Sequence, residues 1–167
     1  MAALEPNNSA DYLAFSLGDE CYAVSIDNVL EMTQYTTPTP VASTEVYFLG
    51  IMHLREYILP IIDLRVFFNI GQPKYDQFTV VVILKIQGQF LGIVVDSVLD
   101  VVQLTPEQRY QLPNFPTIIH NQYIQGFFDY HDKIGILLDI EKLIMENLNY
   151  KPPKKIETEN RATKNGL

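Results

Sequence analysis

Apolar and polar positions alternate along this chain in short runs separated by turn residues. Leu13, Phe15 and Leu17 fall on one face against Ala14 and Ser16, the period-two pattern of a half-buried strand. Gly18-Asp19-Glu20 breaks that run as a turn, and Cys21 to Val24 returns as a second strand. Ser25 is placed to cap a single helical turn from Ile26, with Asp27 favourable near its positive end. On that turn Ile26, Val29 and Leu30 face inward, and Glu31, at its end, points away from them. Thr36 to Pro40 is a loop, because two prolines so close cannot sit in a central strand. Two apolar runs follow, Phe48 to Leu54 and Tyr57 to Ile62. They flank a short charged turn with Arg55 at its tip and Glu56 beside it. Asp63 is positioned to cap a short helix over Leu64 to Phe68, and Gly71 to Asp76 is a second loop.

Phe78 to Ile86 and Gln89 to Val95 make a hairpin across Gln87-Gly88. Val98 to Leu104 reads as another strand, Thr105-Pro106-Glu107 as a turn, and Leu112 to Asn121 as an irregular loop with two prolines. Tyr123 to Tyr130 and Lys133 to Leu138 form a last hairpin across His131-Asp132. Asp139 caps a final helix from Ile140 to Leu148, with Ile140, Leu143 and Ile144 on one side. Many short strands, closely spaced turns and brief helices predict an all-β sandwich or barrel. No repeat with a fixed short period is visible. The expected layout is a flexible lead over residues 1–10, a folded domain over residues 11–148, and a disordered Pro-, Lys- and Glu-rich tail over residues 149–167.

The chain has 167 residues, 47% of them hydrophobic, enough for one compact domain or two small subdomains sharing a core. Its net charge of -8 argues against nucleic acid, which needs a basic face. The charge is uneven: Lys151, Lys154, Lys155, Arg161 and Lys164 outnumber Glu157 and Glu159 in the tail, so the body is more acidic than the whole. An acidic body favours basic partner surfaces. Cys21 is the sole cysteine and cannot form an internal disulfide, which fits a reducing cytoplasm. The N-terminus lacks the basic and apolar regions of a signal peptide, and no apolar run reaches the ~18 residues of a membrane span.

The sequence carries no catalytic or metal-binding pattern. Cys21 is a nucleophile only if a histidine lies beside it, and His53, His120 and His131 sit in or near turns with no motif tying them to it. A buried strand cysteine is the expected role. Zinc-ligand spacing and a Gly-rich phosphate loop are both absent, so no cofactor is expected. Asp63, Asp96 and Asp139 each follow an apolar strand and read as helix caps or strand-end turns rather than an acid cluster. Arg55 is either a partner-binding cation or a solvated turn charge. Arginine and aromatics are enriched at interface hot spots, and Tyr57 lies two residues on. Val80–Leu84 offers an edge for strand pairing if it is not a central strand.

Gly50, Leu54, Arg55, Pro60, Ile61, Asp63, Leu64 and Arg65 follow the order Gly-x-x-Asn-Leu-Arg-Gly, apolar strand, Pro-Ile-Val-Asp-Leu-Arg. That order resembles the signature of the CheW family of bacterial chemotaxis coupling proteins. The likeness runs from Tyr12 to Met145. It takes in Tyr12-Leu-Ala-Phe-Ser-Leu-Gly-Asp-Glu, Val29-Leu-Glu31, Leu91-Gly-Ile-Val-Val-Asp-Ser-Val, Tyr123-Ile-Gln-Gly-Phe and Ile136-Leu-Leu-Asp-Ile-Glu-Lys-Leu. The resemblance implies two SH3-like β-barrel subdomains sharing an apolar core. It implies a non-enzymatic adaptor that couples chemoreceptors, the methyl-accepting chemotaxis proteins, to a CheA-type histidine kinase. The kinase's regulatory domain binds one face, and the receptor's cytoplasmic tip binds another, near the groove between subdomains. Val29, Glu31, Gly50 and Arg55 fall on positions that the family uses for these contacts.

Two departures lie in the signature: His53 replaces the family Asn and Glu56 the family Gly. If that Gly was left-handed, Glu56 is strained by about 1 kcal/mol, so the turn is expected to have changed shape. Met32-Thr33-Gln34-Tyr35 also stands where the family often shows Ile-Arg-Gly-Tyr. Both changes sit at or beside carried-over positions, so His53 and Glu56 join the candidate contact set. The resemblance implies a cytoplasmic protein recruited to membrane-associated receptor arrays. A coupling protein of a divergent array, such as one driving type IV pilus twitching, fits as an alternative. So does a small-ligand sensor using the groove between subdomains, and more remotely a thiol enzyme built on Cys21. No room for a CheV-type receiver domain is expected after Met145.

Overall fold

The computed structural model describes residues 8–43, 45–113, 115–117 and 121–148. The expected tail and most of the expected lead lie outside them, as does His120. Ten strands and two helices follow in the order β1 (Ala10–Leu17), β2 (Glu20–Ser25), β3 (Val29–Gln34), β4 (Phe48–Leu54), β5 (Tyr57–Asp63), α1 (Leu64–Phe67), β6 (Val80–Ile86), β7 (Gln89–Val95), β8 (Ser97–Leu104), β9 (Ile124–Tyr130), β10 (Lys133–Leu138) and α2 (Ile140–Asn147). The all-β expectation holds. Asp63 caps α1 by accepting from the Arg65 N–H, and Asp139 caps α2 by accepting from the Lys142 N–H.

The strands form two five-strand sheets, β8-β1-β2-β10-β9 and β3-β6-β7-β5-β4. All pairings are antiparallel except β10 with β2 and β5 with β7. Each sheet curls into an open barrel around its own small core, and the two barrels share a larger core between them. Residue parity explains this. Leu13, Phe15 and Leu17 of β1 meet Val82, Leu84 and Ile86 of β6 in the shared core, which Leu64, Ile140, Leu143 and Ile144 of the helices close. The alternate residues Tyr12 and Ala14 point into one barrel with Cys21 and Leu137, while Val81 and Ile83 point into the other with Ile61 and Val94. Period-two alternation had indicated a half-buried β1. Instead Leu13 to Phe15 are fully buried on both faces, because the shared core covers one side and the barrel interior the other.

A long-range repeat underlies the arrangement. Residues 11–35 align without a gap on residues 80–104, so Asp27-Asn28-Val29-Leu30-Glu31 corresponds to Asp96-Ser97-Val98-Leu99-Asp100. Residues 47–64 align on 123–140, matching Tyr47 with Tyr123, Gly50 with Gly126 and Asp63 with Asp139. Backbone geometry repeats with the sequence. The Asp63 N–H donates to the Tyr47 carbonyl at 2.9 Å, and the Asp139 N–H to the Tyr123 carbonyl at 2.8 Å. Thr39 bridges Ile51 as Tyr110 bridges Phe127. Each half of the chain puts its first two strands in one sheet and its last three in the other. The halves are therefore interlocked, and neither barrel is made from one continuous segment.

Three local expectations change. The helical turn after Ser25 ends at Asn28, so Val29 to Gln34 is strand and Leu30 is 43% exposed rather than inward. Strand alternation replaces the helical spacing once the cap is satisfied. Val80–Leu84 belongs to β6, which is paired on both sides, so it offers no free edge. Phe78 and Thr79 precede β6 instead of joining it, because the Asp76 side chain accepts from the Phe78 N–H and holds a turn there.

Arg65, only 2% exposed, joins the two sheets. Its Nε and Nη2 donate to Asp63 at 3.0 and 2.8 Å, and its Nη1 donates to Asp96 at 2.7 Å and to the Lys74 carbonyl at 2.8 Å. The Tyr75 hydroxyl donates to Asp63 at 2.6 Å, and Asp96 also accepts from the Gly18 N–H at 2.6 Å in the β1–β2 turn. Burial alone would lower the Arg65 pKa, but the two carboxylates hold it above the ordinary arginine value. Asp63 and Asp96 are thus cap and junction residues tied through one guanidinium, and Asp139 stands apart as the α2 cap.

Candidate partner-binding surface

Glu31 and Arg55, distant in sequence, meet in space. Arg55 Nη2 donates to Glu31 Oε2 at 3.0 Å, with the arginine side chain 70% exposed and the glutamate 29%. The contact joins the two edges of one sheet, since Glu31 lies on β3 and Arg55 follows β4. Held flat, five strands would keep their edges about 19 Å apart, so the pair reports how far the sheet has curled. Arg55 therefore pairs across the barrel with Glu31, rather than simply standing beside Glu56. A bulge between Val29 and Glu31 leaves Leu30 unpaired in the ladder and sets Glu31 on the same face as Val29 and Thr33. Leu30 and Met32 face solvent on the other side, 43% and 48% exposed.

The β4–β5 turn explains the departure at position 56. Its left-handed residue is Arg55, with φ 55°, and Glu56 is not left-handed. A two-residue hairpin turn of the primed kind needs positive φ at its first central residue. The strain expected at Glu56 is thus carried by Arg55, whose left-handed backbone sets the direction in which its side chain leaves the turn. His53 and Glu56 are both exposed near this tip, as are Tyr57 and Ile58. Tyr57 packs edge-on against Phe90 with ring centroids 4.8 Å apart.

Gly50 has a different place. It is buried with φ 140°, and a Cβ there would lie 2.1 Å from the Thr39 carbonyl oxygen. Only glycine lets the loop over residues 36–40 lie against β4. Val29 is half-buried and packs against the shared core. The candidate set thus divides into an exposed tip (His53, Arg55, Glu56) with the half-buried Glu31 paired to it, and two residues, Val29 and Gly50, that pack behind them.

The remaining candidates lead elsewhere. Cys21 is 4% exposed, and burial pushes its thiol up to about 11, against a small opposing pull from Lys133. His131 shares a surface cavity of about 380 Å³ with Cys21, yet the thiol is shifted away from activation. Among the described residues, no group of three or more His, Cys, Asp or Glu could hold a metal. A hollow of about 410 Å³ lies where β4 and β5 meet the end of α2, lined by Tyr47, Phe48, Ile62 and Leu148. The role of Arg65 escaped the sequence reading. Its signal was the second half of the signature, where an arginine stands two residues after the capping aspartate that ends a buried strand.

Comparison with known proteins places this architecture. Residues 11–147 match the CheW-like domain, and the chain belongs to the CheW family. It is 40% identical over 134 residues to the chemotaxis protein CheW of Klebsiella aerogenes, covering 80% of this chain and 81% of that protein. It is 30% identical over 135 residues to the chemotaxis protein CheW of Treponema pallidum, covering 78% and 79%. Among solved structures it resembles the scaffolding protein TtCheW of Thermoanaerobacter tengcongensis, with a TM-score of 0.74 and 29% identity over 83% of this chain and 94% of that one. The fold and family are those of chemotaxis scaffold proteins. Among the described residues no helix is long and apolar enough to cross a membrane.

Proposed function

We propose that this protein is a non-enzymatic adaptor that couples chemoreceptors to a CheA-type histidine kinase. It would act in the cytoplasm, recruited to membrane-associated receptor arrays. The observation that carries the reading is the Arg55–Glu31 pair, a fixed cation and a half-buried acid on the exposed rim of a barrel in a CheW-family chain. Arg55, Glu31, His53 and Glu56 make the contacting tip, while Val29 and Gly50 hold the strands that present it. The regulatory domain of the kinase takes one face and the receptor's cytoplasmic tip takes another. The adaptor's work is structural: by binding both, it lets a change in receptor conformation bias the kinase equilibrium.

The test is a binding assay with the regulatory domains of the CheA-type kinases and the cytoplasmic tips of the chemoreceptors from the source organism. Arg55→Ala and Glu31→Ala are measured beside the unaltered protein. Saturable binding to one domain, weakened about tenfold or more by either substitution, supports the reading. The kinase that binds also decides between a flagellar and a pilus-type array. Absence of binding to every kinase and receptor of that organism overturns it.

A further inference from the structure

The two barrels follow one plan, so each is an internal reference for the other, and they differ at one end. In the barrel of β1, β2, β8, β9 and β10, that end is an open cavity of about 570 Å³ lined by Tyr12, Ser25, Arg109, Gln111, Gln125 and Leu137. In the other barrel the counterparts of Tyr12, Ser25, Gln125 and Leu137 are Val81, Val94, Leu49 and Ile61, which pack together in its core. Thr39 and Tyr110 make equivalent bridges, so Arg109 corresponds to Pro38, which is buried. One barrel mouth is plugged by apolar side chains. The other presents polar groups at Tyr12, Ser25, Arg109 and Gln125 and stays apolar only at Leu137, a local departure that proteins tend to keep for function.

Among the described residues, the charge at this mouth has no ion-pair partner. Arg109 Nη1 donates to the Tyr12 hydroxyl oxygen at 3.1 Å. The ion pairs of the described arginines are those of Arg55 and Arg65, so Arg109 has no described carboxylate within 4.0 Å. Glu107, exposed on the preceding turn, does not reach it. Tyr12 is 6% exposed and its oxygen is occupied as an acceptor, which leaves its own hydrogen to donate. Ser25 Oγ accepts from the Asp27 N–H at 3.2 Å and is likewise left with a hydrogen to donate. Gln111 Nε2 donates to the Gln125 carbonyl at 2.7 Å and closes one side.

We propose that this mouth binds a small free organic carboxylate. Arg109 supplies the charge, the Tyr12 and Ser25 hydroxyls supply further donors, and Leu137 faces the organic part. One guanidinium matches one carboxylate in charge and in its forked geometry. A polyanion would exceed the single positive charge and meet the repulsion of the acidic body. The site belongs to the barrel made without Glu31 or Arg55, and the proposal does not rest on the adaptor reading.

The experiment is a nitrogen-15 NMR titration of the full chain with sodium acetate and sodium propionate. Sodium chloride and sodium phosphate at matched ionic strength are the references. Saturable shifts of the Gln111 and Gln125 side-chain amides with the carboxylates, absent with chloride, are expected. Arg109→Gln should weaken the apparent Kd at least about tenfold, and Tyr12→Phe by a smaller factor. Arg109→Lys keeps the charge without the fork and should fall between them, which guards against a folding effect of either variant. Shifts that grow linearly, that phosphate or chloride reproduces, or that survive in Arg109→Gln overturn the proposal.

Discussion

Arg65 donates to Asp96 at 2.7 Å, and this bond ties the helix after β5 to the junction between β7 and β8, where the chain passes from one sheet to the other. The same guanidinium satisfies Asp63, which is fully buried. Removing it would leave a carboxylate without its cation in the joint between the barrels. Arg65→Ala should therefore cost about 3–5 kcal/mol, the scale for breaking a buried pair from one side. Chemical denaturation monitored by tyrosine fluorescence measures this. A loss below about 1 kcal/mol would mean that the joint is held by the shared core alone.

The Glu31–Arg55 pair behaves differently, because the arginine is 70% exposed. Exposed pairs contribute about 0.2–1 kcal/mol, and salt screens them. Arg55→Ala and Glu31→Ala should each shift stability by less than about 1 kcal/mol in the same denaturation assay. Binding lost in either variant then reflects the surface and not unfolding. A thermal melt showing large destabilisation would contradict this division of roles.

Gly50 and Gly126 are equivalent in the repeat but unequal in space. A Cβ at Gly50 would lie 2.1 Å from the Thr39 carbonyl oxygen, and one at Gly126 would lie 3.0 Å from the Tyr110 carbonyl oxygen. Gly50 also has φ 140°, which strains any L side chain. Gly50→Ala should destabilise by more than the roughly 1–3 kcal/mol of backbone strain alone, and Gly126→Ala by distinctly less. Paired urea melts give the ranking, and equal losses would refute it.

Cys21 should be a slow thiol. With its pKa near 11, about a thousandth of it is thiolate at pH 8. Alkylation by iodoacetamide in the native protein should be roughly a hundredfold slower than for an ordinary thiol, rising about tenfold per pH unit until near 11. The folded state binds this proton more tightly than an ordinary thiol of pKa 9.0, so the associated stability is complete below pH 9 and falls as the pH rises toward about 11. Rapid alkylation at pH 7 would revive a reactive role.

Much of this was legible from local pattern. Apolar alternation placed every hairpin, and the aspartates at the ends of β5 and β10 announced both helices, because caps act on the next turn of chain. The signature around Arg55 and the acid at Glu31 pointed to the candidate contact positions through family likeness. Their meeting was not legible, because they lie on strands at opposite edges of a sheet and only its curl brings them within 3.0 Å. Leu30 was misplaced for a related reason: helical and strand spacing agree over so few residues, and the early end of the turn at Asn28 decided between them.

The sequence by itself determined nine of the ten described strands, their turns, the helix caps and the family, since each rests on neighbouring residues or on a contiguous motif; β3 was the exception. Only the tertiary structure decided that the two halves exchange strands and that β1 is buried on both faces. It alone joined Arg65 to Asp96, and left Arg109 without a described carboxylate within 4.0 Å while its counterpart Pro38 is buried. Those facts depend on which distant segments come into contact. Burial, charge pairing and the room around a glycine belong to that contact and not to any stretch of chain read alone.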